Sequence, residues 1–268
     1  MATEKDLLTA RVFCRAVLPV IKVMLEDDPK TKAKFAKVRA VVQFVARDGG
    51  RDGSRDRDPA GDVGAYLDFD NGAFTVGQGV AARADITFRF PTVAKMNAMF
   101  AGKPVVPRIQ GMWKVGLLVK VLGLLMALKI LMPNAKPKTP LQAKLKVKMT
   151  LYMVSTALSQ LNKGGHPDMV EWCAKQPERI YQWSVDGEDI ACYLRVKAGK
   201  SQAGRGLYTR RKPIVHMKFS SVDNALPVLT NQVDTLQAMK TGLVTNDGSP
   251  EYGAQLGDLM LKVAALVT

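Results

Sequence analysis

At 268 residues the chain is long enough for two domains, each with its own core. An apolar content of 47% excludes a disordered chain, and three cysteines (Cys14, Cys173, Cys192) without a CxxC pair exclude a disulfide framework and favour a reducing cytosol. The net charge of +15 is spread as +8 over residues 1–135 and +7 over 136–268, which excludes a basic tail on a neutral domain and favours an anionic partner surface, phospholipid or nucleic acid.

Apolar residues at helical spacing predict a first helix over 5–25 (Leu7, Leu8, Val12, Phe13, Val17, Leu18, Ile21). The start lacks a basic region and the apolar stretch near Val17–Leu25 carries Lys22, so no secretory leader is read. A strand is predicted at 40–46, followed by an Asp/Arg-rich loop at 48–62. Its interleaved Arg51, Arg55 and Arg57 oppose a calcium reading. Strands follow at 64–70, 73–80 and 84–90, with Asn71-Gly72 as a hairpin signal between the first two. A helix at 92–101 and a strand at 105–110 lead into Met112–Met132, apolar except for Lys114, Lys120 and Lys129. Lys120, Gly116 and Gly123 argue against a membrane span, so this helix is expected to be buried on several sides or to line an apolar cavity.

Residues 133–140 read as a linker. Thr139, Pro140 and Gln142 then supply cap, first-turn proline and capping-box partner for a helix over 140–162. A short helix at 167–176, strands at 179–186, 189–197, 201–208 and 213–219, a helix at 221–238, a turn at Asp247-Gly248 and a final helix from Pro250 complete the chain.

The second half repeats the first. Tyr66, Leu67, Gly72, Gly77 and Gly79 recur as Tyr193, Leu194, Gly199, Gly204 and Gly206, all at an offset of 127. Equal glycine spacing implies equal backbone paths. Val41-Val42-Gln43-Phe44 matches Ile180-Tyr181-Gln182-Trp183, and Ile86–Phe90 matches Val215–Phe219. The fold expected is α+β: two tandem similar domains, 1–135 and 136–268, each an antiparallel sheet covered by helices.

Chemistry-bearing motifs are scarce. His166 lies in a turn, and His216 sits where its repeat partner is Thr87; neither they nor the cysteines have zinc spacing, and no metal or cofactor is expected. Gly77-Gln78-Gly79 and Gly204-Arg205-Gly206 precede strand-like sequence rather than a helix, against a phosphate loop. No enzyme is expected. Tyr208 with Arg210-Arg211-Lys212 is basic and aromatic, but Ala82-Arg83-Ala84-Asp85 in the first half is not, which disfavours nucleic-acid binding. The remaining resource is apolar: Met96, Met99, Phe100, Trp113, Leu117, Leu118, Val121, Leu122, Leu125 and Met126 form a pliable set in the first half. Leu236, Met239, Leu256, Leu259 and Met260 form another in the second.

Ala84-Asp85-Ile86-Thr87-Phe88, then Met99-Phe100-Ala101-Gly102-Lys103, then Ile109-Gln110-Gly111, resemble the type-two sterol carrier protein family; the second half resembles it more loosely around Pro213–Met217, Ser221–Gln232 and Gly248. The resemblance implies an apolar tunnel between sheet and helices and non-catalytic binding of fatty acids, acyl-CoA esters, phospholipids or sterols. The expected protein is a cytoplasmic lipid-binding or lipid-transfer protein, peripheral at anionic membranes. The rival expectation is a structural or protein-interaction module.

Overall fold

The computed structural model describes residues 1–48, 61–233 and 235–267, so most of the predicted 48–62 loop lies outside the described residues. The chain divides into two compact units, Met1–Lys129 and Ile130–Leu266, a boundary six residues before the expected one.

Unit 1 opens with α1 (Glu4–Val12), capped by Thr3, whose side chain accepts from the Asp6 N–H while Asp6 returns the bond. A π turn (Phe13–Val17), a 3-10 turn around Pro19 (Leu18–Val20) and α2 (Ile21–Asp27) continue it, so the single predicted helix is interrupted where proline cannot donate. Asp28 caps α3 (Pro29–Phe35). Strands β1 (Arg39–Ala46), β2 (Val63–Asp70), β3 (Ala73–Gln78) and β4 (Ile86–Phe90), helix α4 (Val93–Phe100), β5 (Arg108–Gln110) and α5 (Val115–Ala127) with a 3-10 turn (Leu128–Leu131) follow.

Unit 2 runs α6 (Pro140–Lys163), α7 (Pro167–Ala174), β6 (Arg179–Val185), β7 (Ala191–Lys197), β8 (Lys200–Arg205), β9 (Val215–Phe219), α8 (Val222–Leu229), α9 (Thr235–Lys240), β10 (Val244–Gly248) and α10 (Pro250–Val267). Thr139 caps α6 through the Gln142 N–H, 3.2 Å, while Gln142 Oε1 accepts from Lys138 rather than closing the box on the cap itself. Lys146, buried on α6, donates to the carbonyls of Met132 (3.0 Å) and Ala135 (2.6 Å). Burial pulls its pKa down.

The two sheets have one topology, β3-β2-β1-β4-β5 and β8-β7-β6-β9-β10. The fold is α+β with a sheet and packed helices in each unit. The sheets are mixed rather than purely antiparallel: β1 runs parallel to β4, with Phe44 opposite Phe88, and β6 parallel to β9, with Trp183 opposite Met217. The cause is a crossover. After the β2–β3 hairpin the chain crosses to the far side of β1 and enters there in the same sense as β3, which already runs parallel to β1. A buried glutamine fixes that crossover in each unit. Gln43 Oε1 accepts from the Ala81 N–H (3.0 Å) while its amide donates to Thr87 Oγ1 (2.9 Å); Gln182 Oε1 accepts from the Tyr208 N–H (2.7 Å).

The sheet registers place the repeated residues opposite one another: Tyr66 pairs with Gly77 and Tyr193 with Gly204. Each ring lies across its glycine, so a Cβ there would fall 1.9 Å from Tyr66 Cζ or 2.2 Å from Tyr193 Cζ. An aromatic ring laid over a strand glycine covers backbone that would otherwise be bare.

One sheet face of unit 1 carries Val42, Phe44, Leu67, Phe69, Ile86 and Phe88, all buried. Phe44 stacks on Phe88 (5.1 Å) and meets Phe100 of α4 (5.3 Å), which stacks on Phe13 (5.3 Å). In unit 2, α6 covers the sheet, with Ser159 and Asn162 bonded to Ser201 of β8 and Arg205 over the Tyr152 ring. No described helix is long and apolar enough to cross a membrane.

Candidate functional site

The N-terminal end of α5 is where unit 1 departs from simple packing. β5 ends at Gly111, whose φ of +84° and closeness to the Asp85 carbonyl admit no side chain. Met112, Trp113 and Lys114 then turn the chain into the helix, with the Lys114 N–H on the Gly111 carbonyl at 3.1 Å. Asp85, just before β4, is held twice by β1: its N–H donates to the Val41 carbonyl (2.7 Å) and its carboxylate accepts from the Val41 N–H (2.8 Å). The other carboxylate oxygen pairs with Lys114. Partial burial pushes the Asp85 carboxyl up, but the Lys114 ammonium and the Val41 N–H outweigh it and hold the group below the ordinary carboxylate value.

Two clefts flank this ion pair and share Asp85. One, about 500 Å³, is bounded by Thr87, Ile109, Gly111, Met112 and Trp113. The other, about 270 Å³, is bounded by Val38, Ala40 and Leu117 together with Arg39, Lys114 and Lys120. A recess with Ile109, Met112 and Trp113 among polar Asp85, Thr87 and Gln110 thus adjoins one that holds three cations and the same Asp85.

The ten residues singled out in the sequence do not form one wall. Met96 and Val121 are fully buried. Met99, Phe100, Leu117, Leu118 and Leu125 are half-buried, and the Phe100 ring is part of the Phe13–Phe44 stack. Trp113, Met126 and Leu122 face outward, at 80%, 59% and 41% exposure, and do not line an interior. The reason is geometric: α5 is apolar around its whole circumference, yet only one side can rest on the unit. Val121 and Leu124, with Leu128 of the following turn, take that side. Of the second set, Leu256 and Leu259 are buried, Met239 and Met260 half-buried, and the Leu236 side chain lies outside the described residues.

Sequence reasoning missed Asp85, Lys114, Arg39 and Lys120 as a group. A signal for it exists: from Ile86 to Pro167 the chain has no Asp or Glu and 13 Lys and Arg. Nearly all of the net charge resides in that stretch.

In unit 2, His216 is half-buried on β9, with its Nε2 2.8 Å from Ser184 Oγ and the Gln182 amide alongside at 3.2 Å. Burial, then Lys218, pulls its pKa below the usual histidine value against the opposing pull of Asp247 and Asp186. All three cysteines are buried thiols, and burial pushes Cys173 and Cys192 up to about 12, so neither supplies a thiolate nucleophile. Among the described residues no three His, Cys, Asp or Glu side chains converge as metal ligands.

No protein-family model and no curated protein matches the chain. Among solved structures it is similar to the stereoselective inverting sec-alkylsulfatase Pisa1 from Pseudomonas sp., at 16% identity and a TM-score of 0.24, covering 55% of this chain and 28% of that one. A double mutant of the sec-alkyl sulfatase PisA1 gives 15% identity and a TM-score of 0.26, covering 62% and 31%. The chain spans about a third of the length of these enzymes, and at such scores the likeness carries no argument about activity.

Proposed function

We propose that this is a non-enzymatic lipid-binding protein of the cytosol, built from two sterol-carrier-like units, that takes an amphipathic lipid with an anionic head at the N-terminal end of α5. One observation carries the reading: the recess walled by Ile109, Met112 and Trp113 adjoins, across Asp85, the recess holding Arg39, Lys114 and Lys120. A hydrocarbon chain in the first and a carboxylate or phosphate in the second is the ligand this pairing fits. Each buried methylene contributes about 0.8 kcal/mol, so ten would reach about 8 kcal/mol, the scale of micromolar affinity. Such binding needs no catalytic group.

Solvent extraction and denaturing mass spectrometry of freshly purified protein test the proposal, together with uptake of a fluorescent fatty acid. A co-purifying amphipathic lipid is expected, as is loss of uptake in Ile109→Trp, which fills the apolar recess, with unchanged far-ultraviolet circular dichroism. Absence of both a co-purifying lipid and fatty-acid uptake refutes it.

A further inference from the structure

The outward side of α5 repeats an apolar pattern that the fold leaves uncovered. Val115, Val119, Leu122 and Met126 recur at spacings of four, three and four, and all are exposed. Trp113, the most exposed aromatic described, stands at the head of the strip. Gly116 and Gly123 lie beside it, and a Cβ on either would meet nothing within 4 Å, so neither is required by packing within this chain. Lys120 of the same helix and Lys129 of the turn that follows it are exposed.

We infer that this face is a membrane-docking surface: α5 lies on an anionic bilayer with Trp113, Val119, Leu122 and Met126 inserted among the acyl chains and its lysines at the headgroups. Charge decides the occupant. The strip sits within the acid-free stretch from Ile86 to Pro167, which bears 13 cations. A second copy laid face to face would set lysine against lysine, with no carboxylate in that stretch to neutralise them. An anionic lipid surface matches both the apolar strip and the acid-free, basic stretch that carries it. Insertion is shallow, because Val121, Leu124 and Leu128 on the inner side are buried within the protein. The strip from Val115 to Met126 lies outside the lipid cleft, which it meets at Trp113 and Lys120, and the inference does not rest on what the cleft holds.

The test uses the full chain with vesicles of phosphatidylcholine alone or with about 30% phosphatidylserine. Flotation with the anionic vesicles is expected to exceed that with neutral ones at least about tenfold, and to weaken about fivefold for each of Lys120→Gln and Lys129→Gln. Trp113 emission shifts to the blue and is quenched by brominated acyl chains, whereas Trp113→Phe loses both signals. Val119→Ser with Leu122→Ser abolishes flotation while fatty-acid uptake without vesicles persists. Conversely, Ile109→Trp loses uptake but still floats, which separates failure of the cleft from failure of the surface. Equal binding to neutral vesicles, or flotation unaltered by the serine pair, overturns the inference. So does a concentration-dependent dimer that the serine pair dissolves. The quenching measurement on the unaltered protein decides the matter even if a variant fails to fold.

Discussion

Replacing Gly111 by alanine isolates the contact that shapes the cleft. The backbone at 111 has φ +84° and that at 79 has φ +82°, so alanine at either position incurs the same left-handed penalty, about 1–2 kcal/mol. The surroundings differ. At Gly79 a Cβ meets nothing within 4 Å, whereas at Gly111 it would stand 2.1 Å from the Asp85 carbonyl oxygen and 3.3 Å from Ile86 Cα. Ordinary contact would require the oxygen to retreat by more than an ångström. Asp85 cannot retreat without stretching its two bonds to Val41, each contributing about 1 kcal/mol. Gly111→Ala is therefore expected to destabilise unit 1 by about 3 kcal/mol or more, against about 1–2 kcal/mol for Gly79→Ala. Hydrogen exchange at β4 and β5 amides reads this locally, with lost protection in the first variant concentrated at Asp85–Phe88. Gly248→Ala is the matched case in unit 2, where the Cβ would lie 2.0 Å from the Ile214 carbonyl oxygen. Equal loss of protection in Gly111→Ala and Gly79→Ala refutes the steric account.

Four further outcomes follow from the same geometry. Phe44→Ala empties the centre of the Phe13, Phe88 and Phe100 stack and should cost about 3–5 kcal/mol, read by urea denaturation. Gln43→Leu leaves the Ala81 N–H without its acceptor and should cost about 1–3 kcal/mol, with exchange quickening at residues 79–85. Because the folded Asp85 pKa lies below its ordinary value of 3.8, its stabilising effect is complete above that value and disappears as the pH falls through the lower folded value; Asp85→Asn should flatten the acid limb of melting temperature against pH below about pH 4. His216 has its pKa depressed from 6.5, so the unfolded chain takes the proton first and unit 2 loses stability as the pH falls below about 6.5; His216→Gln should remove that dependence.

The strands were legible because their punctuation is local. Asn71-Gly72 closes its hairpin with φ values of +49° and +93°, and Ala198-Gly199 does the same at +47° and +75°. The repeat also carried topology, since equal glycine spacing reflected equal strand registers. The parallel β1–β4 neighbours were not legible, because strand order depends on the path of a crossover and not on the alternation of residues. Helix α3 has no counterpart among the predicted elements, although its signal is present: Asp28 accepts from the Thr31 N–H and Pro29 opens the first turn. The predicted 221–238 helix breaks after Leu229, where the chain turns through Asn231 at φ +55°. At the site, no pattern reveals which side of α5 faces in, because a helix apolar all round has no preferred face to read. The Asp85–Lys114 pair joins residues 29 apart through the fold, and spacing alone does not announce it.

Tyr66 and Gly77 bind each other's evolutionary options. A methyl group at 77 collides with the phenol unless the phenol has already gone, and losing the phenol first strips the strand of its roof. Only one order of substitution is open, and its intermediate is the weaker protein. Tyr193 and Gly204 carry the same lock, so the two units share one constraint on how these four positions can change.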